Sequence, residues 1–501
     1  MAVFTRVKRR FYQDSLKLMR VSAEVKDMPG IQQAFAFMAT EINKKTRMQQ
    51  SLMDDEARAA GADDLVLLVE CDNAAAGHSA LDEFEKRIAA SVAVTQIGED
   101  GEHPDAPPAT FEQGKAHIDA NLAVISVPGT YATVQSMTAL SQGMNVMLFS
   151  DNVSLKDEVM LKDYAASRNL LVMGPDCGTA IIGGVPLCFA NAVRPGTIGV
   201  IGASGTGTQE LTVLLDAAGC GITHAIGTGG RDLSGEVAGR TALAALELFA
   251  ADVKTEIIAI VSKPPSPAVA EKVVEAVKAS GKPAVLAFLG QAPSKPADNI
   301  YIAPTIEEAA AKLAALCKGG DPDSAKVVFE RKPLDGWLAA ETSMKHSPSR
   351  KTVKGLYTGG TLASEAKYIL KRFDSEIIDL GDDEYTRGAL HPMIDPSNRS
   401  AHIMAAFENP DIAVLLCDVV LGYGSHPDPA GELVKSVRAA REKSGHSYII
   451  VIASVTGTEN DPQEKSLQKS KLVEAGIHVL PSNQYAAEAA AAIAEKTQGA
   501  Q

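Results

Sequence analysis

Short runs of β-branched and other apolar residues alternate with Ala-rich stretches of helical period along most of the chain. This is the pattern of crossover units on a largely parallel sheet, and it predicts doubly wound α/β architecture. A short opening strand precedes a helix near Asp14–Val25, whose start Asp14 or Ser15 is suited to cap. A further strand lies at Asp64–Glu70. Three prolines, two glycines and several acids in Gly98–Gln113 predict a loop between subdomains. Beyond it come a strand at Leu122–Val127, the turn Pro128-Gly129, a helix, a strand at Asn145–Phe149 and a second helix. The strand Leu170–Met173 then runs into Gly174-Pro175-Asp176-Cys177-Gly178.

The rest of the chain echoes itself. TIGVIGASGTGTQEL (Thr197–Leu211), a strand, a Gly/Ser/Thr turn and a helix, is matched by KGLYTGGTLASEA (Lys354–Ala366). Ala225–Arg231 is matched by Ile377–Asp382, and IIAIVSKPPSP (Ile257–Pro267) by VLLCDVVLGYGSHPDP (Val414–Pro429). KPAVLAFLG (Lys282–Gly290) parallels YIIVIASVTGT (Tyr448–Thr458), and IAPTIEEAAAKLAAL (Ile302–Leu316) parallels VLPSNQYAAEAAAAI (Val479–Ile493). Five elements in one order predict two homologous flavodoxin-like domains, each with its ligand edge at the carboxyl ends of its strands. Between them lies a Lys-, Asp-, Pro- and Ser-rich linker, Lys318–Lys351, with the only tryptophan, Trp337. The expected organisation is an α/β subdomain over 1–110, a Rossmann-like domain over 111–192, a flavodoxin-like domain over 193–320, a linker over 321–351 and a second flavodoxin-like domain over 352–501.

Composition narrows the function. The 501 residues carry 62 acids against 48 Lys and Arg, a net charge of −14, which disfavours general affinity for nucleic acid or an anionic membrane. The longest apolar runs, near Ile257–Val261 and Val414–Leu421, fall far short of the ~20 residues of a membrane helix. Six scattered cysteines match neither a disulfide framework nor a zinc site, so cytosol is the simplest home and no metal or cofactor is called for.

The candidate chemistry lies at the glycine-rich turns. In Ala203-Ser204-Gly205-Thr206-Gly207 the glycines permit a sharp turn, and the helix that follows presents unpaired N–H groups and its positive dipole end to an anion. Recurrence at Thr358-Gly359-Gly360-Thr361 strengthens that reading. Gly422-Tyr423-Gly424-Ser425-His426 ends another apolar strand, so two helix ends are expected to converge, with Ser204–Gly207 and Gly422, Gly424 and Ser425 as the phosphate-holding set. His426 itself reads as a surface residue. Lys263, the only base in its turn, suits an anion clamp; Arg231 suits either a bidentate anion contact or an internal salt bridge to Asp232 or another acid. Arg387, His391 and Asp395 fall in a polar, Pro-broken loop of the kind that carries function. Cys177 has no histidine nearby in sequence and reads as a packed thiol.

With these motifs in view, the chain resembles succinyl-CoA synthetase and, more closely, the FdrA family of acyl-CoA synthetase-like proteins. The runs FSDN, LLVMGPDCGT, GVIGASGTG, GITHAIG, GGRDLS, VSKPP, LYTGGTLA, HPMIDP and VTGTE carry the family resemblance. Leu122–Gly290 resembles the ligase α subunit, and the chain from about Lys354 onward resembles the CoA-ligase domain of the β subunit. The ligase relays phosphate through a Gly-His-Ala-Gly loop; here that loop is Gln291-Ala292-Pro293-Ser294-Lys295-Pro296, without histidine. Ser262-Lys263-Pro264 stands where the histidine's acidic partner is expected, and the linker is too short for an ATP-grasp domain.

The FdrA resemblance implies a subunit of an oxamate carbamoyltransferase in allantoin breakdown, which interconverts oxalurate and phosphate with oxamate and carbamoyl phosphate. It also implies two further non-homologous subunits in a homo- or hetero-oligomer. In that role Ser204–Gly207 and Gly422–Ser425 hold phosphate, Lys263 and Arg231 offset charge or hold the substrate carboxylate, and Arg387 and His391 orient the carbamoyl oxygen. The alternatives are an acyl-CoA synthetase subunit with a separate ATP-grasp chain, and a scaffold without catalysis.

Overall fold

The computed structural model describes residues 2–11, 13, 15–26, 28–40, 43, 44, 48, 53–90, 108, 110–331, 350–386, 390–444 and 449–498. Asp14, most of the loop 98–113, Trp337 with most of its linker, and Arg387 lie outside them. The chain divides into two compact units, one over Met1–Gly114 and the other over Lys115–Thr386 with Leu390–Gln501.

In the first unit, β1 (Ala2–Lys8), β2 (Ile31–Met38) and β3 (Leu65–Cys71) form a sheet in the order β1-β3-β2, with β3 antiparallel to both neighbours. β1 and β2 therefore run parallel, joined across the helix Ser15–Lys26, and β3 fills the gap between them. Leu65, Leu67 and Val69 pack with Leu18, Val25 and Phe84 on one face, while Val66 and Leu68 pack with Phe37 and Ala57 on the other. This sheet is not the parallel one that alternating strands and helices predict. Alternation specifies the crossover but not whether a later strand inserts into it.

The second unit opens with a Rossmann-like layer, the parallel strands β4 (Leu122–Ile125), β5 (Asn145–Leu148) and β6 (Val172–Met173) with helices Gly129–Ser141 and Leu155–Ala166. A hairpin of β7 (Thr179–Ile182) and β8 (Val185–Cys188) then joins an eight-stranded sheet. Its parallel centre consists of β9 (Pro195–Gly202), β10 (Ile222–Gly227), β11 (Ile257–Ser262), β12 (Ala284–Phe288) and β14 (Ile300–Ala303); β13 (Ser294–Ala297) runs antiparallel on the edge. The spatial order is β10-β9-β11-β12-β14. The last sheet holds β15 (Thr352–Tyr357), β16 (Ser375–Asp379), β17 (Ile412–Val420), β18 (Ile450–Thr456) and β19 (His478–Leu480) in the order β16-β15-β17-β18-β19, all parallel. Counted from the first strand of each, both orders are 2-1-3-4-5, the flavodoxin order. The echo in the sequence is thus an echo in topology.

One apolar cluster runs through both domains. Leu211, Leu214, Ala310 and Leu313 of the first pack with Leu362, Ala366, Ala486 and Ile493 of the second. The helices involved are Gly205–Ala217, Ile306–Cys317, Gly360–Leu370 and Asn483–Gln498. Alanine at so many contact positions lets the helix backbones approach closely. The caps are exchanged between domains: Glu210 accepts from the Asn483 N–H at 3.0 Å, and Glu365 accepts from the Ile306 N–H at 2.7 Å. Each domain's first helix thus supplies the acceptor for the start of the other domain's last helix. No helix among the described residues is long and apolar enough to cross a membrane.

Candidate functional site

The first turn is built as its sequence suggests. β9 ends at Gly202, where a Cβ would lie 1.8 Å from Thr208 Oγ1, so only glycine lets the chain fold back on the helix. Ser204 is the N-cap, and its hydroxyl accepts from the Gly207 N–H at 3.0 Å. The N–H groups of Gly205 and Thr206 precede the first intrahelical acceptor.

The matching turn in the second domain already holds an anion, and it is the protein's own. Asp418, fully buried on β17, accepts from Thr358 N–H at 2.8 Å, Thr358 hydroxyl at 3.0 Å and Gly359 N–H at 2.8 Å. Arg399, also buried, donates to the Asp418 carboxylate and to its backbone carbonyl, both at 2.8 Å. Sequence reasoning passed over Asp418; the available signal was an acid in the middle of the apolar run VLLCDVV.

The two helix starts meet each other. The Ser204 and Thr361 hydroxyls are hydrogen-bonded across the seam. A Cβ on Gly207 would lie 2.8 Å from Thr361 Cγ2, and one on Gly359 would lie 2.8 Å from Thr206 Cβ. Thr206 and Thr361 are buried. Thr206 and Gly207 therefore belong to an interlock between domains, which corrects their placement on an open phosphate surface. The part of this pair left accessible is Ser204, Gly205 and Gly360, each partly exposed.

Gly422–Ser425 is placed differently from expectation. The helix after it begins only at Pro429, and its N-terminus is capped by Asp428, which accepts from Gly431 N–H at 3.1 Å and pairs with Lys471 at 2.8 Å. Gly422 (φ 118°) and Gly424 (φ 78°) instead let the turn pack on the carbonyls of Ala190 and Cys188, and Tyr423 N–H donates to Ala190 at 2.9 Å. These glycines serve backbone packing, so the helix end that converges on Ser204 is Gly360–Thr361. The Ser425 hydroxyl is buried without a partner among the described residues. His426 Nδ1 accepts from Asp428 N–H at 3.0 Å, a local turn contact.

Arg231 takes the internal salt bridge, but to Glu158 rather than Asp232. Its guanidinium lies 2.8 Å from Glu158 and donates to the Val153 carbonyl at 2.9 Å, so it is not a free substrate clamp. Asp232 pairs with the buried Lys162 at 2.8 Å and caps the helix at Thr241 and Ala242. Cys177 is buried, and burial pushes its thiol up to about 12, which fits a packed thiol and not a nucleophile. Asp395 accepts from Ser397 N–H at 3.0 Å in its own turn.

Two of the expected residues do reach the edge. Lys263 is exposed beyond β11, forms no ion pair among the described residues, and acts on the charge of Asp379 in the other domain. The His391 ring lies tilted against Phe189, with centroids 5.9 Å apart, and burial pushes its pKa down to about 4 against the opposing pull of Asp151. Its Nδ1 accepts from Met393 N–H at 3.2 Å, which assigns the proton of the neutral ring to Nε2. Asp379, another residue missed from sequence, closes the edge. Its Oδ1 accepts from Gly381 N–H at 2.9 Å, and its Oδ2 lies so near Gly360 that a Cβ there would be 2.3 Å away. Where the resemblance placed a phosphate-relay loop, Ser294–Ala297 forms the edge strand β13.

Family models match three stretches: a CoA binding domain over 193–290, a CoA-ligase domain over 356–493, and a domain described as AllF, heavy metal-associated, over 1–104. The chain is 38% identical over 511 residues to the uncharacterized protein YahF of Escherichia coli K12, covering 96% of this chain and 97% of that one. It is 29% identical over 220 residues to the succinate–CoA ligase [ADP-forming] subunit alpha 1 of Archaeoglobus fulgidus, covering 42% of this chain and 74% of that one. Among solved structures it is similar to a dinucleotide-forming acetyl-coenzyme A synthetase 1 of Ca. Korarchaeum cryptofilum, at 15% identity and a TM-score of 0.31, covering 80% of this chain and 88% of that one. Paired flavodoxin-like domains with the CoA-binding, CoA-ligase and succinate–CoA ligase matches define an acyl-CoA synthetase-like protein. Within that class, the chain belongs to the FdrA family.

Among the described residues of the first unit, no group of side chains fits a heavy metal. Cys71 is the only cysteine of 1–104, it is buried with its thiol directed to the Asn73 carbonyl, and no cluster of three ligating side chains occurs among the described residues.

Proposed function

We propose that this chain is a subunit of a carbamoyltransferase that interconverts oxalurate and phosphate with oxamate and carbamoyl phosphate. The supporting observation is the helix start at Ser204–Gly205, kept open beside Gly360 and Lys263, on a chain whose Gln291–Pro296 stretch has no relay histidine. A site that keeps phosphate-type donors without a phosphorylated residue favours phosphate as co-substrate. Its oxygen attacks the carbamoyl carbon of oxalurate, the C–N bond breaks, and oxamate departs as its nitrogen takes up a proton.

First-turn N–H groups and the Ser204 hydroxyl are suited to phosphate, and Lys263 to its remaining charge. The neutral His391 is suited to donate a hydrogen bond to the carbamoyl oxygen. No redox change occurs, so the reaction needs no redox cofactor. Two non-homologous subunits would complete the enzyme. A second reading, an acid–thiol ligase subunit served by a separate ATP-grasp chain, is favoured by the CoA-ligase match over 356–493. ATP-dependent CoA thioester formation with a partner would select it.

Calorimetric titration of phosphate into the full chain tests the site. Ser204→Ala and Lys263→Glu are each expected to weaken binding by about tenfold, the scale of one charge-assisted hydrogen bond. Unchanged binding in both would remove phosphate from this edge.

A further inference from the structure

We propose that Asp379 is the proton relay of carbamoyl transfer, taking the proton of the attacking phosphate hydroxyl and delivering it to the departing oxamate nitrogen. The inference rests on the carbamoyl-transfer reading. That reaction moves one proton overall: monohydrogen phosphate loses it as its oxygen bonds to carbon, and the amide nitrogen gains it as the C–N bond breaks. One carboxylate placed beside both atoms suffices.

Asp379 has the required position. It ends β16, its Oδ2 lies against the partly exposed Gly360 at the helix start, and its Oδ1 is fixed by Gly381 N–H at 2.9 Å. His391 Nε2 and Asp379 Oδ1 converge on Gly381, 2.8 and 3.2 Å from where its Cβ would be. The fold does not require this acid. β16 pairs Asp379 with Tyr357, while in the first domain β10 pairs Gly227 with Gly202; each partner precedes its helix start by three residues. Gly227 is thus the counterpart of Asp379, and Cys177 Sγ and the Thr179 carbonyl leave no space for a side chain there. The carboxylate is thus present in only one half of a duplicated frame.

The charged and titratable groups facing it are Lys263 from the turn after β11, Asp418 from β17, Asp382 from the following turn and neutral His391. Burial raises the Asp379 pKa, and Lys263 works against that rise. A raised carboxyl lies nearer the second ionisation of phosphate, which suits a group that must both take and release the proton.

The test is steady-state kinetics of the full chain with the products of its neighbouring genes, varying phosphate and pH. Asp379→Asn keeps the acceptor for Gly381 and should lower kcat by about 100- to 10,000-fold at unchanged phosphate KM. The acid limb of the wild-type pH profile, where Asp379 is protonated before the reaction, should vanish. Added formate should restore part of the rate to Asp379→Ala. An Asp379→Asn enzyme within about threefold of wild type, or one altered only in phosphate KM, would overturn the relay. A wild-type assembly that transfers no carbamoyl group fails earlier and differently, and removes the relay together with the reading beneath it.

Discussion

Replacing Asp418 by alanine is expected to destabilise the full chain by about 3–5 kcal/mol, read as a shift of the urea unfolding midpoint. The loss exceeds that of an ordinary surface acid because four donors depend on one carboxylate. Arg399 would be left charged and buried, and the Thr358 and Gly359 N–H groups would lose their acceptor. Asp418→Asn should also destabilise the chain, since Thr358 N–H bonds to one carboxylate oxygen and Gly359 N–H to the other, and the amide keeps an acceptor for only one of them while giving up the ion pair. The arrangement also bears on function. Because the second domain neutralises its own turn with Asp418, a bound anion has open first-turn donors chiefly at Ser204–Gly205 and Gly360.

The second large effect is on pH dependence. Burial raises the Glu365 carboxyl from 4.5 to about 8; the neighbouring Glu210 and Glu307 push the same way, and hydrogen bonds from Ile306 and Asn483 oppose them. Between those values the folded chain holds a proton that the unfolded chain has released, so stability falls as pH rises. The Glu365 contribution is full below about pH 4.5 and lost on passing through about 8, with an upper limit of about 5 kcal/mol. Glu365→Gln should remove this component. The measurement is the difference between wild-type and variant unfolding free energies across that window; equal slopes would contradict a neutral Glu365. Since Glu365 caps Ile306 across the domain seam, weakening is expected first between the two flavodoxin-like domains.

The architecture was largely legible because duplication writes each strand and helix twice. Five echoed segments foretold two flavodoxin-like sheets, and both have the 2-1-3-4-5 order. The first unit was less legible: the opening strand, its helix and the strand near Asp64–Glu70 could be read, but β2 was missed, and nothing local says that β3 enters between β1 and β2. At the site, the Ser204 turn could be read because an N-cap serine and its glycines act locally. The Gly422–Ser425 turn misled, since glycines needed for packing on Ala190 and Cys188 look the same as glycines that admit a ligand. Arg231 and Asp418 found their partners 73 and 60 residues away, a relation that spacing does not encode. Glu210 and Glu365 stood aligned in the echo, yet their exchange of caps appears only when the two domains face each other.

The account is tested most directly by incubating the purified chain, alone and with the products of its neighbouring genes, with oxamate and carbamoyl phosphate while following phosphate release and oxalurate formation. The complete assembly should release one phosphate for each oxalurate formed, without ATP or CoA. An assembly that yields no oxalurate under any combination, but forms a CoA thioester from ATP with an ATP-grasp partner, would contradict it.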